Sequence, residues 1–429
     1  MSASRAAWLA SICAAFGLVA EAAPPAPAAE SAASVPTTPP PAGLARWFDP
    51  TAAPFIPVPE IDTAPHSGLT IGVIPVVLQT NAQGEIREII APDVIYSQFF
   101  GWGSRARVFG DPSADTQWSL VGGLKQRVER EFDARYAGGQ MRAGATTWSI
   151  EGIYDRSGIP RFFGIGNDSR RSSETNYVAN QGRVEASIGV NFTRDLQLAY
   201  ATRLRYFTVL PGVLHPMASI ERRFPGLIGL GGEHALQQRV MLSYDTRDSL
   251  AIPHEGARYV LYGGVVSRAV GSSVAYTSVG ADARRYWPVG RSLTVAWHGS
   301  LRYMPSARGA PFWALSSLGG DRSVLDEREP LRSYGDDRFV DRNLFASGVE
   351  LRIRVGSFDA FTTRVSIEVA PFIDVGKVFA GVGASPFSRL HKGAGVGFRG
   401  VASPFVVGYV DIGYGHDRAA IFSGINYPF

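Results

Sequence analysis

Residues 185–208 read EASIGVNFTRDLQLAYATRLRYFT. Ala186, Ile188, Val190 and Phe192 fall on one face. After the short polar turn Thr193-Arg194-Asp195, that face continues with Leu196, Leu198, Tyr200, Thr202, Leu204 and Tyr206. Asn191, Gln197, Arg203 and Arg205 occupy the other. Side chains of a strand point alternately to its two sides, so the stretch predicts a β-hairpin with one apolar and one polar face.

The same period recurs downstream. Leu293, Val295, Trp297, Leu301 and Tyr303 alternate with Thr294, His298, Ser300 and Arg302. Val365, Ile367, Val369, Ile373 and Val375 alternate with Ser366, Glu368, Asp374 and Gly376. In the last strand, Ile421, Ile425, Tyr427 and Phe429 share one face and Gly424 and Asn426 the other, with Phe422 out of pattern. A soluble sandwich buries its apolar face against a second sheet, whereas a membrane barrel turns it to lipid around a polar lumen. Strands of nine residues or more, aromatics at strand ends and the terminal Pro428-Phe429 favour the barrel. The predicted class is all-β, a closed antiparallel transmembrane β-barrel. Residues 55–429 have room for roughly 14 to 18 spanning strands.

Composition agrees. Hydrophobic residues make up 45% of the 429 and charged residues 19%. Beyond the N-terminus no run of about 20 apolar residues occurs, which excludes helical spans. A formal charge of +4, without a clustered basic face, gives no reason to expect nucleic acid as a partner.

Residues 1–22 read as a cleaved secretory signal. Arg5 supplies the positive end, Ala6 to Val19 the short apolar stretch and Ala20-Glu21-Ala22 the cleavage site. The only cysteine, Cys13, lies inside it. Residues 23–54 are rich in proline and alanine and predict a disordered linker. It is too short for a periplasmic domain of ordinary size. These features predict export through the inner membrane to the outer membrane of a Gram-negative-type bacterium.

Enzymatic signatures are absent. The seven histidines are scattered without ligand spacing, so no metal or cofactor is expected. Gly393-Ala394-Gly395-Val396-Gly397 resembles a nucleotide loop but sits in a strand pattern with no helix after it. Asp245 and Asp248 suit a structural turn better than a calcium site. The chain is not expected to be an enzyme.

Five stretches together resemble the BamA/TamA superfamily, the bacterial surface antigen barrels. Asp245, Arg247 and Asp248, followed by Pro253 and Gly256, resemble its strand–turn–strand signature. Leu318-Gly319-Gly320 leading to Leu331-Arg332-Ser333-Tyr334 resembles its loop motif, with Ser333 in place of the usual glycine. Gly348-Val349-Glu350-Leu351-Arg352, Phe372-Ile373-Asp374-Val375-Gly376 and the C-terminal Phe429 complete the set, the last as a C-terminal signal. The resemblance implies a 16-stranded barrel whose sixth extracellular loop folds into the lumen; the family's POTRA domains are not expected in this sequence, a departure from the pattern. It also implies that Arg332 pairs with Asp374, with Glu350 nearby. Alternation independently turns both acids inward: Glu350 shares a face with Arg352 and Arg354, and Asp374 with Ser366 and Glu368.

The function so implied is assistance to insertion or translocation of polypeptides. Partners would be outer-membrane lipid and unfolded outer-membrane protein clients. A passive pore or structural barrel without insertase activity is the alternative.

Overall fold

The computed structural model describes residues 56–62, 68–80, 86–113, 115–360, 363–381, 383, 385–402, 405–417, 419–424, 427 and 429. The leader expected at 1–22 and the linker expected at 23–54 lie outside the described residues, as do Ile425, Asn426 and Pro428.

Twenty strands form one sheet and three short strands form a second. In the large sheet the chain pairs antiparallel with what precedes it. Thr175–Asn191 pairs with Leu196–Pro211, which pairs in turn with Gly232–Asp245. Asn343–Ala360, Thr363–Phe379, His391–Ala402, Phe405–Gly415 and Ala419–Gly424 continue the same meander to its end. The first strand, Ile56–Asp62, lies beside the last, Ala419–Gly424. There the Ile61 N–H donates to Ser423 Oγ at 3.2 Å, so the sheet returns to its own start.

The ring is larger than the resemblance implies. Ile86–Ile90 and Asp93–Ser97 share one position, because both pair with Thr70–Thr80 and with Gly101–Ser113. Arg161–Phe162 is a two-residue spur on Thr175–Asn191. Eighteen positions therefore exist among the described residues, not sixteen. Eighteen is within the roughly 14 to 18 for which residues 55–429 have room; the strands before Gly101 contain Pro57, Pro59 and Pro75, and the shared position is broken at Pro92. Proline removes a ladder donor and interrupts the alternation that marks a strand.

An even number of positions puts both ends of the ring at one rim. Turns there are mostly short, such as those joining Asn191 to Leu196 and Val289 to Leu293. The opposite rim carries the long connections 158–174, 212–231 and 310–342. In bacterial barrels that asymmetry marks the periplasmic and extracellular sides respectively.

The two faces separate as the alternation requires. Ile188, Val190, Leu198, Tyr200, Leu204 and Tyr206 are exposed on the outside. Gln197, Arg239, Asp282, His298 and Arg302 are buried within. Lipid offers no hydrogen bonds, so the ladders satisfy the backbone and apolar side chains cover it. Aromatic pairs sit at both rims: Tyr96 against Trp102 with ring centroids 5.2 Å apart, and Tyr136 against Trp148 at 5.1 Å. Such rings suit the interface between lipid and water.

The extracellular mouth is filled. Phe162, Tyr177, Phe207 and Phe312 pack in one buried cluster, with Phe224 and Trp313 against it. The rings meet largely edge to face, Phe162 on Phe224 at 5.1 Å and Tyr177 on Phe312 at 5.4 Å. Three loops from different parts of the chain are joined this way.

Leu204 lies halfway along Leu196–Pro211 and half exposed. Leu204→Arg is expected to destabilise the barrel by about 2–4 kcal/mol, the cost of a lipid-facing charge near mid-membrane. Urea unfolding in phospholipid vesicles measures it; an unchanged midpoint would mean that this face does not meet lipid.

Candidate functional site

The connection 310–342 turns down into the ring instead of arching over it. It builds a small sheet from Ser316–Leu318, Arg328–Glu329 and Phe339–Asp341. Leu318, Leu331, Tyr334 and Phe339 pack there on Leu344, Ala346 and Val378 of the wall. The Leu331 N–H donates to Gly320 O at 3.0 Å, and those of Ser333 and Tyr334 to Leu331 O at 2.8 and 2.9 Å. Gly320 has φ +81, and a Cβ there would stand 1.9 Å from Asp336 Oδ1. The glycine is what allows the turn that presents Arg332.

Arg332 is wholly buried. Its Nε and Nη2 each donate to an Asp374 oxygen at 2.9 Å, a bidentate pairing. The backbone N–H of Arg332 adds a bond to Asp374 Oδ2 at 3.1 Å. Nη1 donates to Glu350 Oε2 at 2.6 Å and to Asp411 Oδ2 at 3.2 Å. The guanidinium also lies 3.6 Å from the centroid of the Phe372 ring. Burial alone would lower its pKa, but Asp374, Glu350 and Asp411 outweigh that and hold it well above its ordinary value. It stays charged.

The acids are compensated too. Glu350 Oε1 accepts from Arg352 Nε at 2.9 Å and Oε2 from Arg399 Nη2 at 2.9 Å. Arg399 reaches Asp411 Oδ1 at 3.1 Å. Three arginines thus meet three acids with no net charge, the condition under which buried ions persist. Every acid of the cluster is engaged by an arginine, while Arg399 bonds through Nη2 alone and keeps its buried Nε and Nη1 without a hydrogen-bond partner.

The loop's other side carries the opposite sign. Asp326 Oδ1 accepts from Arg302 Nε at 2.8 Å, and its Oδ2 from Gln237 Nε2 at 2.7 Å and Ser278 Oγ at 3.0 Å. Glu327 pairs with Arg203, and Arg183 and Arg205 each stand 3.6 Å from it. Burial would push the Glu327 carboxyl up, yet the guanidiniums of Arg203, Arg205 and Arg183 hold it well below the usual carboxylate range. The loop is therefore a crossbar, fixed to one wall by its acids and to the other by its arginine.

Sequence reasoning found Arg332, Asp374 and Glu350, which meet, and Leu331 and Tyr334, which pack beside them. It missed Asp411, Arg399, Asp326 and Glu327. Asp411 and Arg399 do sit on the polar faces of their strands, so alternation alone could have nominated them. It also missed the floor under the loop. A Cβ on Gly393 would lie 1.8 Å from Ser333 Oγ, and one on Gly413 1.7 Å from Arg332 O. The glycine-rich string 393–397 thus makes room for the loop tip at its first residue.

The strand–turn residues lie at the periplasmic rim. Asp245 takes Arg247 Nε at 2.8 Å and Nη2 at 2.7 Å. Asp248 Oδ1 accepts the N–H groups of Ser249, His254 and Glu255 at 3.0, 2.9 and 3.1 Å, capping the turn. Gly256 has φ +95, and Pro253 O accepts from Arg352 Nη1 at 3.3 Å. Phe429 differs from expectation. It does not lie on the outer face that it was expected to share with Ile421. The ring packs inside on Tyr286 and Ala296 and lies 5.2 Å from that of His298.

The Omp85 superfamily domain matches residues 101–415. The chain belongs to the Omp85 superfamily. It is an outer-membrane β-barrel, in keeping with the BamA/TamA motifs. Among solved structures it is similar to BamA from Haemophilus ducreyi lacking POTRA domains 1–3: 13% identity over 82% of this chain and 75% of that one, TM-score 0.50. CdiB from Escherichia coli shows 12% identity over 87% of this chain and 62% of that one, TM-score 0.45. CdiB from Acinetobacter baumannii shows 12% over 83% and 65%, TM-score 0.47. The chain thus spans less than two thirds of either CdiB. At such identities the BamA likeness is one of fold. No curated protein sequence matches. In this Omp85 barrel, strands before Gly101 and the last strand fall outside the matched residues.

Removing one partner of a dry, paired charge costs about 3–5 kcal/mol. Arg332→Glu is therefore expected to free the loop for proteolysis in folded protein, and Asp374→Arg in the same chain to restore part of the resistance. A double variant no tougher than either single one would show that this pair does not hold the loop. Because the folded pKa of Glu327 is lowered, its contribution is complete above the unfolded value of about 4.3 and fades as pH falls below it. Glu327→Gln should lower the melting temperature at pH 7 and leave it near wild type in strong acid. Equal losses at both would show that its charge is not what matters.

Proposed function

We propose that this barrel assists insertion or translocation of polypeptides at the outer membrane, and that it acts by opening between Ile56–Asp62 and Ala419–Gly424. The observation that carries the reading is the contrast between that seam and every other junction. Every other junction carries a ladder, from short ones such as Ile86–Ile90 on Gly101–Ser113 to the pairing of Thr175–Asn191 with Leu196–Pro211 from Tyr177↔Pro211 to Asn191↔Gln197. Across the seam, among the described residues, no ladder forms and the bond from Ile61 N–H to Ser423 Oγ is what joins the strands. The flanking strands are seven and six residues long. Pro57 and Pro59 further deprive the first of donors. An incompletely paired edge is a template for an incoming strand, which is why unfolded outer-membrane protein clients are the partners proposed.

A steady aqueous pore fits less well, because the crossbar fills the lumen and the aromatic cluster the mouth. The reading assigns the arginine–acid cluster a holding role and no enzymatic chemistry.

Ile61→Cys with Ser423→Cys should lock the seam when oxidised. In a strain depleted of the native protein, the oxidised pair is expected to lower the level of other outer-membrane barrels, with recovery on reduction. Normal barrel levels under both depletion and locking, together with steady conductance in planar bilayers, would overturn the proposal in favour of a pore.

A further inference from the structure

Asp282, His298 and Glu329 come from three separate elements and converge inside the lumen. Asp282 stands on Ala275–Val289 and His298 on Leu293–Gly309. In that pairing Arg284 faces His298 and Asp282 faces Ser300, so Asp282 and His298 are diagonal neighbours on the inner face. Glu329 belongs to the crossbar. All three are buried, and one ligand atom from each lies within 4.8 Å of the others.

Their arrangement is poorly served by hydrogen bonding alone. His298 Nε2 stands 3.0 Å from Asp282 Oδ2 and 3.2 Å from Glu329 Oε2. A single ring nitrogen carries at most one proton and aims it at one oxygen. Two carboxylates face it, and buried Glu329 Oε2 accepts no hydrogen bond. An unsatisfied buried carboxylate oxygen beside a second carboxylate is costly on both counts.

A divalent ion resolves this. With metal–nitrogen and metal–oxygen distances of about 2.0–2.2 Å, tetrahedral ligand atoms stand roughly 3.3 Å apart. The two separations from His298 Nε2 are near that edge length. Asp282 is held for the purpose: Arg284 Nε bonds its Oδ1 at 3.2 Å and Arg258 Nη1 approaches the same oxygen at 3.7 Å, leaving Oδ2 for the ion. The Phe429 ring, stacked on His298 at an interplanar angle of 25°, keeps one side dry.

We propose that Asp282, His298 and Glu329 form a binding site for one first-row divalent cation, best suited to Zn2+ because imidazole and carboxylate oxygen are both among its ligands. Water completes the coordination. The ion clips the crossbar to the wall at Glu329, three residues before Arg332, and gives the loop a fastening distinct from its salt bridges.

The test uses untagged full-length protein folded in detergent, stripped with a chelator and re-exposed to Zn2+ or Co2+ at micromolar concentration. One ion retained per chain after gel filtration is expected, with a visible absorption band for Co2+ and slower proteolysis of loop 310–342. Glu329→Gln and His298→Ala should each weaken retention by more than about 10-fold, the scale set by losing an outer-shell partner alone. His234→Ala, near the start of Gly232–Asp245 and outside the trio, should retain it fully. Heat-modifiable gel migration confirms that each variant is folded. Glu329→Gln alters the loop and not the wall, so it decides the matter if His298→Ala does not fold. Folded wild type that keeps no stoichiometric metal, or Glu329→Gln that keeps it as tightly as wild type, overturns the proposal.

Discussion

A charged guanidinium with no exposed surface, enclosed in a membrane barrel, is the constraint from which the lumen's design follows. Arg332 cannot shed its proton, so its charge must be matched where it lies. Asp374 matches it with two parallel bonds, and Glu350 and Asp411 complete the match. Those acids in turn require Arg352 and Arg399. The gross attraction of one such pair at 4 Å is about 4 kcal/mol at an effective dielectric of 20, and desolvation opposes most of it. The cluster therefore adds little net stability. Its value is specificity of position: this seat gives Arg332 carboxylate partners on three separate strands.

The opposite wall applies the same logic with signs exchanged. Asp326 and Glu327 hold to Arg302 and Arg203. A loop attached by acids on one side and by an arginine on the other cannot slide or turn round without placing like charges together. Glycines supply the remaining requirement, which is room. Side chains at Gly393 and Gly413 would occupy the space of the loop tip itself. Electrostatics thus selects the seat of the loop, and missing Cβ atoms make the seat available.

Strand alternation was the most legible part of the sequence because lipid enforces it residue by residue. Val190, Leu198 and Leu204 could be assigned outward, and Gln197 and Arg203 inward, before any pairing was known. The Arg332, Asp374 and Glu350 contact was legible through motif and alternation together. What escaped depends on distance in the chain. Asp411 lies 79 residues from the arginine it contacts, and no local pattern announces that. Asp326 and Glu327 look like ordinary acids of a polar loop until the loop is seen to turn inward. The sixteen positions came from the resemblance, whereas the length of the chain already allowed eighteen, and the inward course of Phe429 escaped because period two does not say which way a chain end turns.

Crossbar and seam bear on one another. Arg332 is tied to Asn343–Ala360, Thr363–Phe379 and Phe405–Gly415, the strands leading up to the last one. Asp326 and Glu327 are tied to strands between residues 175 and 309, well away from the seam. Any outward swing of the C-terminal strands must either carry the loop with it, straining the acid anchors, or leave it behind, stripping Asp374 and Glu350 of their arginine. The barrel can be weakly paired at its closing edge because its two halves are braced through the middle. The opening proposed at the seam works against that brace, so the brace would set how far the barrel yields.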